Sequence, residues 1–488
     1  MSNVKQETIN GAKWGLLQKL TVHPIQLVYG MLLARLITPA EMGIVGLTSI
    51  FFAIATQLAS AGFGSALIRK LDRTEADCST MFWFNVGMSF LASFLLFLLA
   101  PWFADFYNQE ELVWLTRASA FNMFLSSIAG VHWTLYQCRR DFKVPAIVNC
   151  ITTLAGMPVC LILAWLGWGV WALMWQSIFT TLLSFCIVWS ISPWKPRMIF
   201  SKESFFSLFG FGSKLALAGI IHVLYVNGRT FIIGKFYSAA QLGLYNRGSA
   251  VAHLAPDLIN NTLSGVMYPV LATLQDDNER LKAAYRKYVR IPTLLVAWST
   301  MILISMATPA VDVMYGKDWL SCVPFLQIIA IGWAVNHMNG INCSLMMIKG
   351  RSDILLKLET FKKSISIGML LYAATISVEA ICWASTLYCH LALAFNAYFT
   401  GKILGLTWWQ QQKDIFPYFI LAGLACIPAY LCTFTELPSI IQLLIGGPVS
   451  LALYFIPLHL FRESAYKELF NTFIAPRLSK KISFIKPL

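Results

Sequence analysis

The sequence is short of charge and shorter still of acid. Of 488 residues only 12% are charged, and 23 Asp and Glu stand against 37 Lys and Arg, a formal net charge of +14. The connections between its hydrophobic runs are short, so little chain remains for a soluble catalytic domain. Its eleven Cys (78, 138, 150, 160, 186, 322, 343, 382, 389, 426 and 432) are scattered, without a CxxC or a Cys/His cluster at metal-ligand spacing. They read as reduced packing residues, and neither a metal nor a cofactor is expected. The N-terminal MSNVKQETIN is polar, and Lys13, Lys19 and His23 follow it. The clean apolar core and small-residue cleavage site of a signal peptide are missing, so this segment is expected to stay on the protein.

What the chain has instead is apolar surface. Hydrophobic residues make up 57% and the mean hydropathy is +0.64, outside the range of ordinary soluble domains. Crossing a hydrocarbon core of about 30 Å takes about 20 mostly apolar residues. Hydropathy predicts spans near 11–36, 42–67, 79–101, 113–136, 145–166, 168–191, 206–234, 242–271, 290–310, 321–346, 354–374, 378–400, 415–433 and 439–461. The expected fold class is an all-α polytopic membrane protein with about 14 transmembrane helices.

Lys and Arg set the orientation of such a chain, because basic loops stay cytoplasmic. The basic connections are Arg69, Lys70 and Arg73; Arg139, Arg140 and Lys143; Lys195, Arg197 and Lys202; Arg280 to Arg290; Lys349, Arg351 and Lys357; Lys402 and Lys413; and the tail from Arg462 to Lys486. All follow even-numbered spans. The intervening connections are acidic or neutral, with Lys317 beside Asp318 the mildest exception. Both termini are therefore expected to face the cytoplasm. The positive balance is then an orientation signal, and no nucleic-acid partner is needed to explain it. The segment DDNERLKAAYRKYVR, ending at Arg290, reads as a solvated charged connection, with an amphipathic surface helix as the other reading.

The chain also resembles itself at a period of about 200 residues. GAKW at 11–14 recurs as GSKL at 212–215, and Arg35 with TPAEMG recurs as Lys235 with SAAQLG. APWFADFY at 100–107 answers to ATPAVDVMY at 307–315, and GVHWTLYQCRR at 130–140 to GINCSLMMIKG at 340–350. An even number of helices separates the repeats, so the halves share one orientation. The expected domains are an N-terminal six-helix bundle at 1–200, its repeat at 201–405, and two extra helices with a basic tail at 406–488.

Ionisable residues inside spans are costly against lipid and should face the bundle interior or water. Lys13, Lys19, His23, Arg117, Lys214, Arg229 and Arg247 are of this kind, and Lys13, Arg35 and Lys235 sit near span ends, where snorkelling is the alternative. Embedded acids are scarcer, with Asp257, Glu359 and Asp77 the main ones. An anionic substrate suits this balance better than a cationic one. Asn85, Gln176, Asn227, Tyr245, Asn246, Asn260, Asn261, Asn336 and Asn339 could serve sugar hydroxyls or simply bond neighbouring helices. Of 17 Trp, Trp14 and Trp175 lie deep enough to stack on a sugar.

GAKW, LARLITPAEMGI at 33–44, FGSALIRK at 63–70, FWFNVG at 82–87, YPVLATLQDDNERL at 268–281 and YGKDWLSCVPFLQI at 315–328 together resemble the bacterial polysaccharide transport family, which includes lipopolysaccharide, exopolysaccharide and colanic-acid flippases. It is a branch of the multidrug, oligosaccharidyl-lipid and polysaccharide exporter superfamily. The resemblance implies fourteen helices in a V-shaped pair of bundles and alternating-access flipping of an undecaprenyl-pyrophosphate-linked oligosaccharide. It implies pyrophosphate contacts at Lys13, Arg35, Arg117, Lys214, Arg229, Lys235 and Arg247; Asn227 and Asn246, from the polar residues above, complete the expected substrate set. It further implies coupling to a proton or sodium gradient, for which Asp257 beside Pro256 is the expected site, and a polysaccharide polymerase and export machinery as partners such a transporter could serve. Two other classes remain open. A cation-coupled multidrug antiporter would favour embedded carboxylates. An oligosaccharide polymerase or ligase would want a large outward loop or an acid and metal motif.

Overall fold

The computed structural model describes residues 21–471 apart from 23, 61, 71 and 140, and of residues 50, 261–266 and 269 it describes only the backbone. Hydrocarbon offers a backbone amide no partner, so a chain of this composition satisfies its N–H and C=O groups within helices. Among the described residues there is no strand. The chain divides into two compact units, Met1–Gly243 and Leu244–Leu488. Among the described residues, ten helical stretches are long and apolar enough to cross a membrane by length and composition.

The first unit holds α1 (Pro24–Ala34), α2 (Pro39–Ser60), α3 (Phe63–Arg69), α4 (Glu75–Tyr107), α5 (Leu112–Cys138), α6 (Lys143–Trp165), α7 (Val170–Ile191), α8 (Lys202–Phe236) and the start of α9 (Ala239–Ala272). α4 illustrates how local sequence sets an element. Thr74 and Asp77 form a reciprocal capping box: the Asp77 N–H donates to Thr74 Oγ1 at 3.3 Å and the Thr74 N–H to Asp77 Oδ2 at 2.8 Å. Lys70 Nζ donates to the same carboxylate at 2.8 Å. Asp77, one of the embedded acids read from the sequence, is thus a fully buried structural cap. Further along, Phe90, Phe94, Leu98 and Trp102 recur every four residues and are each more than half exposed, an apolar stripe for lipid. The linker before α8 is fixed along the start of α4. Trp83 Nε1 donates to the Arg197 carbonyl at 2.8 Å, and the Ser201 N–H donates to Thr80 Oγ1 at 3.0 Å.

The internal repeat is legible at one contact within this unit. Pro39 and Gly43 on α2 correspond to Ala239 and Gly243 on α9, 200 residues later. A Cβ added to Gly43 would lie 1.7 Å from the Ala239 carbonyl oxygen, and one added to Gly243 would lie 1.9 Å from the Pro39 carbonyl oxygen. The same glycine-to-backbone contact is made twice, once in each direction.

The second unit continues with α10 (Asn278–Ser305), α11 (Ala307–Tyr315), a 3-10 turn (Lys317–Cys322), α12 (Val323–Trp333), α13 (Asn336–Ile348), α14 (Ser352–Ala373), α15 (Val378–Leu404), α16 (Trp408–Lys413), α17 (Phe416–Cys432), α18 (Ser439–Leu460) and α19 (Ser464–Leu469). Two predicted spans are interrupted: 290–310 at Met306, and 321–346 between α12 and α13. The charged segment ending at Arg290 is not a connection but the first turns of α10. Asp277 caps it by accepting from the Arg280 N–H at 3.1 Å, and Leu281, Tyr285 and Val289, four residues apart, are buried in one apolar cluster. Its polar face is anchored too. Arg286 grips Asp414 with Nε to Oδ2 at 2.6 Å and a second nitrogen to Oδ1 at 2.7 Å, and Arg290 Nε reaches the same carboxylate at 3.0 Å.

Replacing Gly43 or Gly243 by Ala drives a methyl into a backbone carbonyl that has no flexible end to yield. Each substitution is expected to cost about 1–3 kcal/mol and to lower the midpoint of thermal unfolding in detergent. Gly447→Ala, whose Cβ would meet nothing within 4 Å, should leave the midpoint unchanged.

Candidate functional site

The embedded cations are the strongest functional signal in the sequence, and three of the six that are described gather at one end of the first unit. Lys235 is in the last turn of α8, where Nζ donates to the Phe106 carbonyl at 2.6 Å and lies 3.9 Å above the Phe106 ring. That places the end of α8 beside the end of α4. Arg117 is in the second turn of α5, which starts after the short connection from α4. Its guanidinium lies 4.6 Å from the Phe97 ring and 4.9 Å from the Trp114 ring, its Nε is buried without a hydrogen-bond partner among the described residues, and Trp114 is 62% exposed. A cation held between two rings, one open to its surroundings, and still carrying an unsatisfied N–H is chemically ready for an anion. Arg35 lies exposed in the turn between α1 and α2. The Pro39 contact with Gly243 puts that turn at the same end.

The other cations lie elsewhere. Arg229, half-buried, is six residues before Lys235 on α8, about 9 Å along the axis. Lys214, exposed, is 21 residues before Lys235, about 32 Å away on the same measure. One pyrophosphate cannot touch Lys214 and Lys235 together. Lys214 and Arg229, 15 residues apart, do project within about 60° of each other around α8. Asn227 Nδ2 donates to the Val223 carbonyl of its own helix at 2.9 Å. Asn246 and Arg247 belong to the second unit, both half-buried. There the Arg247 guanidinium sits 5.0 Å from the Tyr315 ring and 5.4 Å from the Trp319 ring. Lys13, Trp14, Lys19 and His23 lie outside the described residues. Trp175 is 45% exposed.

The two embedded acids singled out in the second unit, Asp257 and Glu359, are engaged. Asp257 Oδ1 accepts from Trp333 Nε1 at 2.8 Å, and His253 stacks on that indole at 4.0 Å between centroids. Glu359 is ion-paired with Lys362, 2.5 Å between Nζ and Oε1. Lys362, only 3% exposed and not singled out from the sequence, also donates to Asn396 Oδ1 at 2.8 Å. Asn396 Nδ2 in turn donates to Asn339 Oδ1 at 2.8 Å. An i,i+3 lysine beside an in-span glutamate was the signal available for this pair. A cavity of about 300 Å³ opens beside α10 and α19, lined by Arg286, Lys287, Arg290 and Glu468. Its cations are already paired with Asp414 and Glu468.

Apolar spans, lipid-facing stripes and cations held in aromatic niches define a multi-pass helical membrane protein. Among solved structures, the fold is shared with the lipid II flippase MurJ in its inward closed conformation, with a TM-score of 0.71 and 14% identity over 93% of this chain and 100% of that chain. It is shared less closely with an inward-facing multidrug resistance MATE family transporter, at a TM-score of 0.59 and 14% identity over 80% of this chain and 94% of that one. Residues 32–324 match the polysaccharide biosynthesis protein family, and the chain belongs to that family. It is similar to the teichuronic acid biosynthesis protein TuaB of Bacillus subtilis (24% identity over 88% of this chain and 89% of that protein). It is also similar to the lipopolysaccharide biosynthesis protein WzxC of Escherichia coli (24% over 74% of each) and the succinoglycan biosynthesis transport protein ExoT of Rhizobium meliloti (23% over 83% of each).

An anion docking on Arg117 should perturb the adjoining indole. Inorganic pyrophosphate is expected to change the tryptophan fluorescence of the purified protein in a salt-sensitive way. Trp114→Phe should abolish the change. Arg117→Lys, which keeps the charge but loses the planar fork, should weaken binding about fivefold or more in the same titration.

Proposed function

We propose that the protein is a flippase that carries an undecaprenyl-pyrophosphate-linked oligosaccharide repeat unit across the bacterial inner membrane by alternating access, for the synthesis of a surface polysaccharide. The observation that carries this reading is the span of the likeness. Three relatives named for the synthesis of three different surface polysaccharides match along most of their length, on a fold also found in a lipid II flippase.

The chemistry of the cations supports the same reading. A pyrophosphate in a low-dielectric cavity needs fixed positive donors, and charge-assisted bonds are stronger there than in water. With both termini cytoplasmic, α8 runs outward from Lys202 to Phe236, and its cations mark successive depths. Lys214 meets the pyrophosphate midway, Arg229 next, and Lys235, Arg35 and Arg117 at the extracytoplasmic end. Arg247 would serve from the second repeat, with Asn227 and Asn246 as further members of the substrate set and Lys13 at the start of the first span. The moving bodies are the repeats at 1–200 and 201–405, with the helices at 406–488 apart from them. A polymerase and export machinery would take the product. Drug-cation antiport is less well supported, because the embedded Glu359 is already neutralised by Lys362.

Deleting the gene should leave complete lipid-linked repeat units on the cytoplasmic leaflet, and the wild-type gene should clear them. Arg229→Ala should cut clearance by at least tenfold at equal protein level, as read by leaflet-resolved analysis of the intermediates. Units that reach the outer leaflet but stay unpolymerised would instead point to a polymerase. For gradient coupling the reading assigns Asp257, whose carboxylate is held by the Trp333 indole. Asp257→Asn should abolish the response of transport in proteoliposomes to an imposed proton or sodium gradient while leaving substrate binding intact. An unchanged response would remove Asp257 from the coupling role.

A further inference from the structure

A second cavity lies entirely within the first unit, between α5, α6 and α7, with a volume of about 330 Å³. α6 and α7 pack closely at its back, where a Cβ on Gly156 would come 2.3 Å from Thr180 Cγ2. α5 and α6 barely touch, and the cavity opens between them. It occupies the middle of the spans. Asn149 and Thr153 fall about 9–15 Å from the start of α6, and Gln176 and Ser184 about 9–21 Å from the start of α7. At that depth a surface facing hydrocarbon should be apolar. This one is not: eight of its ten lining residues bear a hydroxyl or an amide, and none bears a charge.

Bonding between helices accounts for only part of that polarity. Tyr29 Oη donates to Gln176 Oε1 at 2.6 Å, and Thr153 Oγ1 donates to Asn149 Oδ1 at 3.3 Å. Both amide oxygens are occupied, while neither NH2 group has a partner among the described residues. Thr180 Oγ1 donates to the Ser177 carbonyl of its own helix at 2.9 Å, which uses its proton and leaves its lone pairs free. The Thr181 and Ser184 hydroxyls have no hydrogen-bond partner among the described residues. Donors and acceptors are thus interleaved around the half-buried Trp133 indole.

This lining selects among ligands. A phosphate would want cations, a polyprenyl chain would want apolar walls, and a metal ion would want carboxylates. A pyranose matches what is present: hydroxyls that both give and accept, and a C–H face that packs on an aromatic ring. The volume lies at the lower end of small-molecule pockets, about 300–1,000 Å³. We propose that the cavity between α5, α6 and α7 is a neutral-sugar subsite that holds uncharged pyranose residues of the transported oligosaccharide during passage. The proposal rests on the flippase reading and adds to it where the sugar, as distinct from the pyrophosphate, is held.

The test uses the full-length protein in the deletion strain. Thr181→Val with Ser184→Ala, and separately Trp133→Leu, should each lower clearance of lipid-linked units at least tenfold at wild-type membrane abundance and unfolding midpoint. Clearance at the wild-type rate by both variants would overturn the subsite while leaving the flippase reading intact. Failure of the wild-type gene to clear units would overturn both readings together. In a second measurement, Thr181→Cys is labelled in cells and read by mass spectrometry at residue 181. A charged, water-soluble thiol reagent should react there, and reaction should slow at least threefold in cells that make the oligosaccharide relative to cells blocked in its first sugar transfer. Reaction only with a lipid-soluble reagent would mean that the cavity faces hydrocarbon, and the proposal would fall.

Discussion

Hydrocarbon leaves a polar group two choices, a partner within the protein or a pocket of water, and the structure is organised by that restriction. Backbone groups take the first choice and become helices. Side chains at helix ends take it as well: Asp77 is enclosed by the Thr74 cap and Lys70, and Asp414 by two arginines. Where a charged pair lies along α14, as Lys362 and Glu359 do, the residual hydrogen-bonding capacity passes to Asn396 and then Asn339. Such a chain is satisfied link by link, and removal of one member strands the next.

Against that background, the groups left incompletely satisfied are the informative ones. Arg117 keeps a buried Nε without a partner, and aromatic faces that attract its charge do not use its N–H groups. Lys235 is held differently, by a carbonyl and a ring at the end of α4. Both modes fix a cation without neutralising it. Pairing with a carboxylate, as at Asp414, would cancel the field that an anionic substrate needs. The distribution of acids therefore separates the cations into two groups. Those at the ends of α4, α5 and α8 are stacked on rings, and those on α10 are bound in salt bridges.

Much of this was legible in the sequence because it follows from one-dimensional signals. Runs of about 20 apolar residues located helices such as α6, α7, α14, α15, α17 and α18 to within a few residues, and the 200-residue repeat pointed to Gly43 and Gly243 without revealing why glycine is needed there. Only backbone proximity explains that, since the clash partner is a carbonyl 196 residues away in one direction and 204 in the other. The start of α10 was missed because its eight ionisable residues hide an i,i+4 stripe of Leu281, Tyr285 and Val289. The Lys362 pair is hidden for a related reason: Lys357, Lys362 and Lys363 look alike in the sequence, whether a given one points to water or to a neighbouring glutamate. Hydroxyl residues are quieter still. Ser and Thr cost little in a span because they can bond their own backbone, so Thr181 and Ser184 leave no trace in hydropathy. Gln176 alone of the cavity's lining had been singled out, and Trp133 rather than Trp175 turns out to be the aromatic residue there.

The separation of charged and neutral sites has a physical consequence for any amphiphile that passes through. Strong binding of the whole substrate at one point would hold it there, since transport requires that each site release what it binds. Lys214, Arg229 and Lys235 lie about 22 Å and then about 9 Å apart along α8, so a charged group travelling along that helix would meet them one after another rather than be held by all of them at once. A neutral cavity adds hydrogen bonds, each worth roughly 1 kcal/mol net, which distinguish a hydroxylated group from lipid while remaining weak enough to break. On α5 the two kinds of site are only nine residues apart, from Arg117 to Ser126, about 14 Å along one rigid helix. A displacement of α5 would then move an anion's partner and a sugar's partner together, which keeps the two ends of one substrate in step.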